Sequence, residues 1–310
     1  MTSFEALGRG LLNARANWEL IVVQLVQLLA VTLVMVLGLV PLFAALGVGS
    51  IAAIPEEPEE LARWLVDLFA RTSPASLLAG VTGLLLIWLV AMLVYSYFQA
   101  GLFGVLVSAE HQAPPGSVSE ARLFRTFRAG DFFGWSRRFM WRLFWFFNVF
   151  GAVALAGVLL VVVFIALVAF IGGRYGAVSG FTIGCIGALP ILFALVAFSL
   201  WAVLAQVELV RPGAGFWPAQ RQALEVLGRR LGAASLIWLI WVGFSVILGL
   251  AFGVVSMVVE IGLSASGVAK ALTTLMLTVL QWAVGAVLTL CMGAACAALA
   301  RSALRTEVTA

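Results

Sequence analysis

Chemistry needs groups that hold protons, metals or electron pairs, and this chain offers few of them. His111 is the only histidine and sits in Glu110-His-Gln-Ala-Pro-Pro-Gly. One imidazole with no Cys or His neighbour makes neither a zinc site nor a Ser-His-Asp triad, so His111 reads as a loop residue. Cys185, Cys291 and Cys296 lie inside apolar runs. Their spacing suits neither a metal knuckle nor a disulfide framework, and they read as small buried apolar residues. There is no GxxxxGK[ST] phosphate loop, no HExxH metal pair and no GxSxG elbow. No cofactor or metal is expected. The chain reads as a non-enzyme, since an intramembrane lipid enzyme would need a nucleophile and a base that no residue here offers.

Two sets of residues remain as candidate contacts. The first is a thin scatter of amides within apolar runs: Gln24 and Gln27, three apart on one face, with Asn148 and Gln281, and also Gln99 and Gln206. Such amides fix helix register through interhelical hydrogen bonds worth about 0.6–2 kcal/mol. The alternative is a polar cavity shared by Gln24, Gln27 and Gln281 that admits a headgroup or small solute. The second set is the stretch from Arg122 to Arg142, with Arg122, Arg125, Arg128, Arg137, Arg138 and Arg142 among Phe132, Phe133, Trp135, Phe139, Trp141 and Trp145. An arginine near an anionic leaflet gains about 1 kcal/mol, and tryptophan settles at the membrane–water interface. This belt therefore reads either as simple anchoring or as a contact site for anionic lipid headgroups or a cytoplasmic protein partner. Glu19, Glu208 and Glu260 fall at span ends, where they reach headgroup water or pair with arginine.

The elements that must carry these residues follow from composition. Of 310 residues, 64% are hydrophobic and 10% charged, with a mean hydropathy of +1.14. Soluble domains are about half apolar and about a quarter charged, which excludes a soluble enzyme, a disordered chain and a nucleic-acid module. The basic residues fall in short loops and form no basic soluble face, so no nucleic-acid partner is expected. What remains is an all-α integral membrane protein. A hydrocarbon core of about 30 Å needs roughly 20 helical residues, and six segments qualify, near 20–46, 76–107, 143–171, 181–208, 232–259 and 271–300. The first run is too long for a signal h-region and is expected to be retained. Every basic residue except Arg63, Arg71, Arg174 and Lys270 falls on the side of the N-terminus, which predicts that both termini are cytoplasmic. The span centres carry no Asp, Glu, Lys, Arg or His, which argues against a proton-coupled carrier.

The pattern also repeats. Short amphipathic stretches precede the first, third and fifth spans, namely Phe4, Leu7, Leu11 and Leu12 with Glu5 and Arg9 at i,i+4; Leu123, Phe124 and Phe127 with an arginine at every third residue; and Leu224, Leu227 and Leu231 beside the row Arg221, Glu225, Arg229. One membrane domain results, with three units near 1–108, 109–208 and 209–310, each an amphipathic helix plus a transmembrane hairpin. A further amphipathic element, Leu61, Trp64, Leu65, Leu68 and Phe69, is expected in the outer interface. Gly180 with Gly184, Gly249 with Gly253, and 293–300 supply small faces for close helix contact. Pro41 and Pro190 fall within spans, where neighbouring groups can satisfy the freed carbonyls.

The helices leading into spans, Phe4 to Trp18 and the set Trp217, Ala223, Leu224, Arg229, Arg230 and Leu231, resemble those of a loose group of bacterial six-span proteins. That group includes the membrane domain fused to some glycerophosphodiester phosphodiesterases. The catalytic barrel of those enzymes is absent, so the resemblance implies a bacterial cytoplasmic-membrane module that serves an enzyme or transporter encoded elsewhere. Three functions are expected in descending order: a scaffold or accessory subunit organising lipids or partners, a permease or transport subunit working with a separate ATPase, and an intramembrane lipid enzyme. Topology is directly testable. Reporters fused within 56–71 are predicted to read as extracytoplasmic and those at the C-terminus as cytoplasmic; a cytoplasmic signal from 56–71 overturns the assignment.

Overall fold

Thr2 and Glu5 start the first helix by capping one another. In the computed structural model the Thr2 hydroxyl accepts from the Glu5 backbone N–H at 3.2 Å, and the Glu5 carboxylate accepts from the Thr2 N–H at 2.7 Å. Two orphan donors of the helix start are thereby satisfied reciprocally. Helix α1 (Ser3–Ala16) leads through Asn17 and Trp18 into α2 (Glu19–Ala45), and α3 (Pro74–Gln112) returns. A 3-10 turn, Ala121–Phe124, precedes α4 (Ala129–Tyr175) and α5 (Ala177–Leu209). The chain ends with α6 (Phe216–Arg229), α7 (Leu231–Gly262) and α8 (Gly267–Val308). The structure describes residues 1–45, 72–116, 118–262 and 267–308, together with 57, 60, 63, 64, 66, 67 and 70. Among these residues there are eight α-helices and no strand, and six of the helices are long and apolar enough to cross a membrane. The outer amphipathic element expected at 61–69 lies mostly outside the described residues.

The chain forms two compact units, Met1–Leu25 with Tyr97–Ala310, and Val26–Ser96. In the smaller one, α2 and α3 pack as a hairpin in which Gly38 lies against Ile87 and Gly83 against Leu42. In the larger one, the buried residues concentrate in a few stretches: 100–110 of α3, 132–146 of α4, 200–209 of α5, 219–227 of α6 and 286–303 of α8. Beyond them the apolar faces turn outward, as along Leu155, Leu159, Val163 and Phe170 of α4, where lipid is the natural solvent.

Small residues let the core close. From Met292 to Ala300 every residue of α8 is buried, and α1 packs across this segment. A Cβ on Gly10 would come within 2.6 Å of the Cys291 carbonyl oxygen and 2.9 Å of the Ala295 nitrogen. A Cβ on Gly293 would come within 3.1 Å of the Phe103 ring. Of the other small faces expected from sequence, Gly184 packs against Val168, whereas Gly249 and Gly253 have no neighbour within 4 Å.

Several sequence expectations change in the folded chain. The stretch 122–128 is not an amphipathic helix: after one 3-10 turn, Arg125 and Arg128 are extended. Arginine at every third residue does not follow the 3.6-residue helical period, and the backbone N–H groups of Thr126 and Phe127 are taken by Asn17. The amphipathic stretch before the third span lies in α4 itself, which runs unbroken for 47 residues with no proline to interrupt it. It buries Phe132, Ser136, Phe139, Leu143 and Phe146 along one face. Between the third and fourth spans the connection shrinks to Gly176, at φ 97°, a left-handed conformation suited to glycine. His111 lies in the last turn of α3 and not in a loop.

The apolar stripes of the short helices are divided between the core and the outside. In α1 the apolar stripe is divided: Phe4 is 71% exposed and Leu11 59% exposed, Leu7 and Leu12 pack against the core, and Ala6, Arg9, Gly10, Asn13 and Ala14 are buried. Close packing against α8 demands small residues, and buried polar groups must sit where partners exist. In α6, Ala219, Ala223, Val226 and Leu227 are buried and Leu224 is exposed. A valine at position 10 is predicted to cost about 1–3 kcal/mol by overpacking, measured as thermal unfolding in detergent. Alanine at position 8, which meets nothing within 4 Å, is predicted to be neutral or slightly stabilising; equal losses from both would refute the α1–α8 contact.

Candidate functional site

The last carbonyls of a helix have no intrahelical donors, and at the end of α3 they are enclosed by protein. Arg301, from α8, reaches them. Its guanidinium donates to the carbonyls of Glu110, Ala113 at 2.9 Å and His111 at 3.3 Å. Arg9, from α1, donates to the next carbonyls, Pro114 at 3.0 Å and Gly116 at 2.7 Å. Both arginines meet the Glu110 carboxylate, with Arg9 Nη2 2.7 Å and Arg301 Nη1 3.5 Å from Glu110 Oε1. Arg9 is 4% exposed and Glu110 2%, so each charge is compensated where water is nearly absent. The i,i+4 pairing of Glu5 with Arg9 expected from sequence gives way: Glu5 caps its own helix and Arg9 turns inward.

One turn along α1, asparagines continue the network. Asn13 donates to the Leu106 carbonyl at 3.1 Å. Asn17 is fully buried and acts in both directions. Its amide nitrogen donates to the Asn13 carbonyl and side-chain oxygens and to the Phe124 carbonyl at 2.8 Å, while its oxygen accepts from the N–H groups of Thr126 and Phe127. Arg125 then bonds the Ala16 carbonyl at 2.6 Å and pairs with Glu19. Asn13 and Asn17 did not stand out in the sequence. The available signal was a pair of amides at i,i+4 next to the junction of two helices.

A second cluster closes the end of α5. Glu208 pairs with Arg211 at 2.7 Å and is fully buried. Gln222, with its amide oriented to suit both, donates to Glu208 at 3.2 Å and accepts from Arg211 at 2.9 Å. Arg142 of α4 donates to the Leu209 carbonyl at 3.4 Å.

These contacts sort the six candidate arginines. Arg122 pairs with Glu120 on the surface, Arg125 is committed to Glu19 and Ala16, and Arg142 is half-buried against Leu209. Arg128, Arg137 and Arg138 are exposed, with Arg138 lying over the Phe139 ring at 5.3 Å. Asn148 bonds the Phe144 carbonyl of its own helix at 2.8 Å, and Gln281 is exposed on α8. Gln24 buries an oxygen that has no hydrogen-bond partner among the described residues, and Gln27 is buried.

Chemically, the arginine–glutamate cluster is suited to holding helices together. A pocket of about 200 Å³ beside it is lined by Met1, Arg9, Glu110, Pro115, Ala298 and Arg301, but most of its guanidinium donors already serve carbonyls and Glu110. Among the described residues no group of three or more His, Cys, Asp and Glu could hold a metal ion. Replacing Glu110 by alanine leaves the buried Arg9 and the half-buried Arg301 without a carboxylate and is predicted to destabilise the protein by about 3–5 kcal/mol. Replacing Arg122, whose side chain is 81% exposed, is predicted to cost under about 1 kcal/mol. Thermal unfolding of both variants in one detergent makes the comparison, and similar midpoints would contradict the buried cluster. No known protein family matches the chain, and no curated protein or solved structure shows significant similarity to it.

Proposed function

We propose that the protein is a non-enzymatic scaffold or accessory subunit of the bacterial cytoplasmic membrane, with both termini inside, that organises lipids or a protein partner at its basic end. One observation carries this reading: the buried polar side chains at that end are engaged mainly in joining helix ends, through Arg9, Glu110, Arg301, Asn17 and Glu208. A site for turnover needs reactive groups free to meet a substrate, whereas this arrangement supports a fixed platform. The outward-facing groups there are arginines and large aromatics, including Trp18, Trp141, Trp145 and Trp217, side chains suited to an interface. The resemblance in the helices that lead into spans fits a module acting beside an enzyme or transporter.

Native mass spectrometry of the protein extracted from its own membrane tests the reading. The expected result is a stoichiometric protein partner, or retained lipid with no turnover by the purified chain. Lipid turnover by the pure protein, or solute movement by the chain alone in vesicles, would overturn it. A partner whose binding depends on nucleotide would identify a transport subunit instead.

A further inference from the structure

The exposed face of α4 changes character along its length in the order that a bilayer does. Opposite the buried face of Phe132, Ser136, Phe139, Leu143 and Phe146, the helix presents Arg137 and Arg138, then Trp141 (55% exposed) and Trp145 (58% exposed), then Ala152, Leu155 and Leu159. At 1.5 Å per residue, Arg137 and Trp145 are about 12 Å apart along the axis. Charge, amphipathic aromatic and aliphatic surface therefore follow one another over the thickness of one interfacial layer. From Val149 to Ile171 there is no polar side chain, a length of roughly 34 Å that matches the hydrocarbon core, and Arg174 and Tyr175 follow.

The aromatic part of this face is already ordered. Phe144 packs edge-on against Trp141, with ring centroids 5.6 Å apart, and against Trp145 at 5.8 Å. Arg128, at the N-cap of α4, adds a third exposed guanidinium near the same end. The only acidic residue in the first turn is Asp131, so the net charge of the face is positive. Arg122 and Arg125, by contrast, are neutralised by Glu120 and Glu19.

We propose that Arg128, Arg137 and Arg138, above Trp141 and Trp145, form a binding face for the headgroups of anionic phospholipids. This rests on the reading of the basic end as an organiser of lipids or partners and names the lipid class. The guanidinium groups supply forked donors for phosphate oxygens, and the indoles take the level of the glycerol and upper acyl chain. Selectivity for an anionic headgroup arises because a zwitterionic one brings its own cation to the same site.

The test uses the full chain in lipid discs of phosphatidylcholine mixed with phosphatidylglycerol, with quantitative lipid analysis of what stays bound after exchange into phosphatidylcholine alone. Wild type is expected to retain phosphatidylglycerol, and to lose it as salt is raised. Each arginine is worth about fivefold in affinity, so R137Q/R138Q is expected to weaken retention roughly 25-fold, with R137K/R138K restoring most of it. R122Q is expected to change it less than about twofold. Retention that is independent of salt in wild type, or equal loss in R122Q and R137Q/R138Q, would overturn the proposal whether or not a variant folds well. Loss of a protein partner with unchanged lipid would overturn the lipid assignment while leaving the accessory-subunit reading in place.

Discussion

Helix C-termini are the constraint on which the rest of this structure depends. The end of each helix leaves carbonyl groups without intrahelical donors and carries the negative pole of the helix dipole. At the basic end, three such termini lie within protein, and each receives a guanidinium from another element. Arg301 and Arg9 serve α3 and the segment after it, Arg125 serves α1, and Arg142 serves α5. Arginine suits the task because it stays charged and presents several donors in a fixed plane. A neutral amide would satisfy fewer carbonyls and would leave the dipoles uncompensated.

The same bonds decide which helices are neighbours. Arg9 brings the N-terminal helix to α3, and Arg301 brings α8 to the same carbonyls, so segments separated by 101 and 191 residues meet at Glu110. That junction requires α1 to lie close to α8, which is possible because Gly10 meets the small-residue run of 292–300. Electrostatics and packing are thus coupled: a larger residue at position 10 would pull Arg9 away from Glu110, and loss of Glu110 would leave the closely packed helices enclosing uncompensated charge.

This arrangement divides the arginines of one end into two classes with different physics. Buried ones such as Arg9 are committed to carbonyls and carboxylates and contribute to cohesion. Exposed ones on α4, Arg137 and Arg138, have no carboxylate or carbonyl partner among the described residues and lie above tryptophans on a surface whose polarity falls along the helix. A fixed buried cluster and an exposed basic and aromatic face are the two features on which the proposed platform role rests.

Sequence by itself determined the class of the protein and its six long apolar helices. Those features follow from local sums, since about twenty apolar residues in a row need no distant partner to favour the membrane. The pairing of Glu208 with Arg211 was also legible, because three residues separate them on one chain segment. Tertiary structure alone decided that Arg9 leaves Glu5 for Glu110, that Asn17 pins the 124–127 segment, that α1 turns its small face inward, and that α4 begins at Ala129. The reason is that a buried polar group takes whichever partner the packing of remote segments brings within hydrogen-bond reach, and neither hydrophobic periodicity nor residue spacing records that contact.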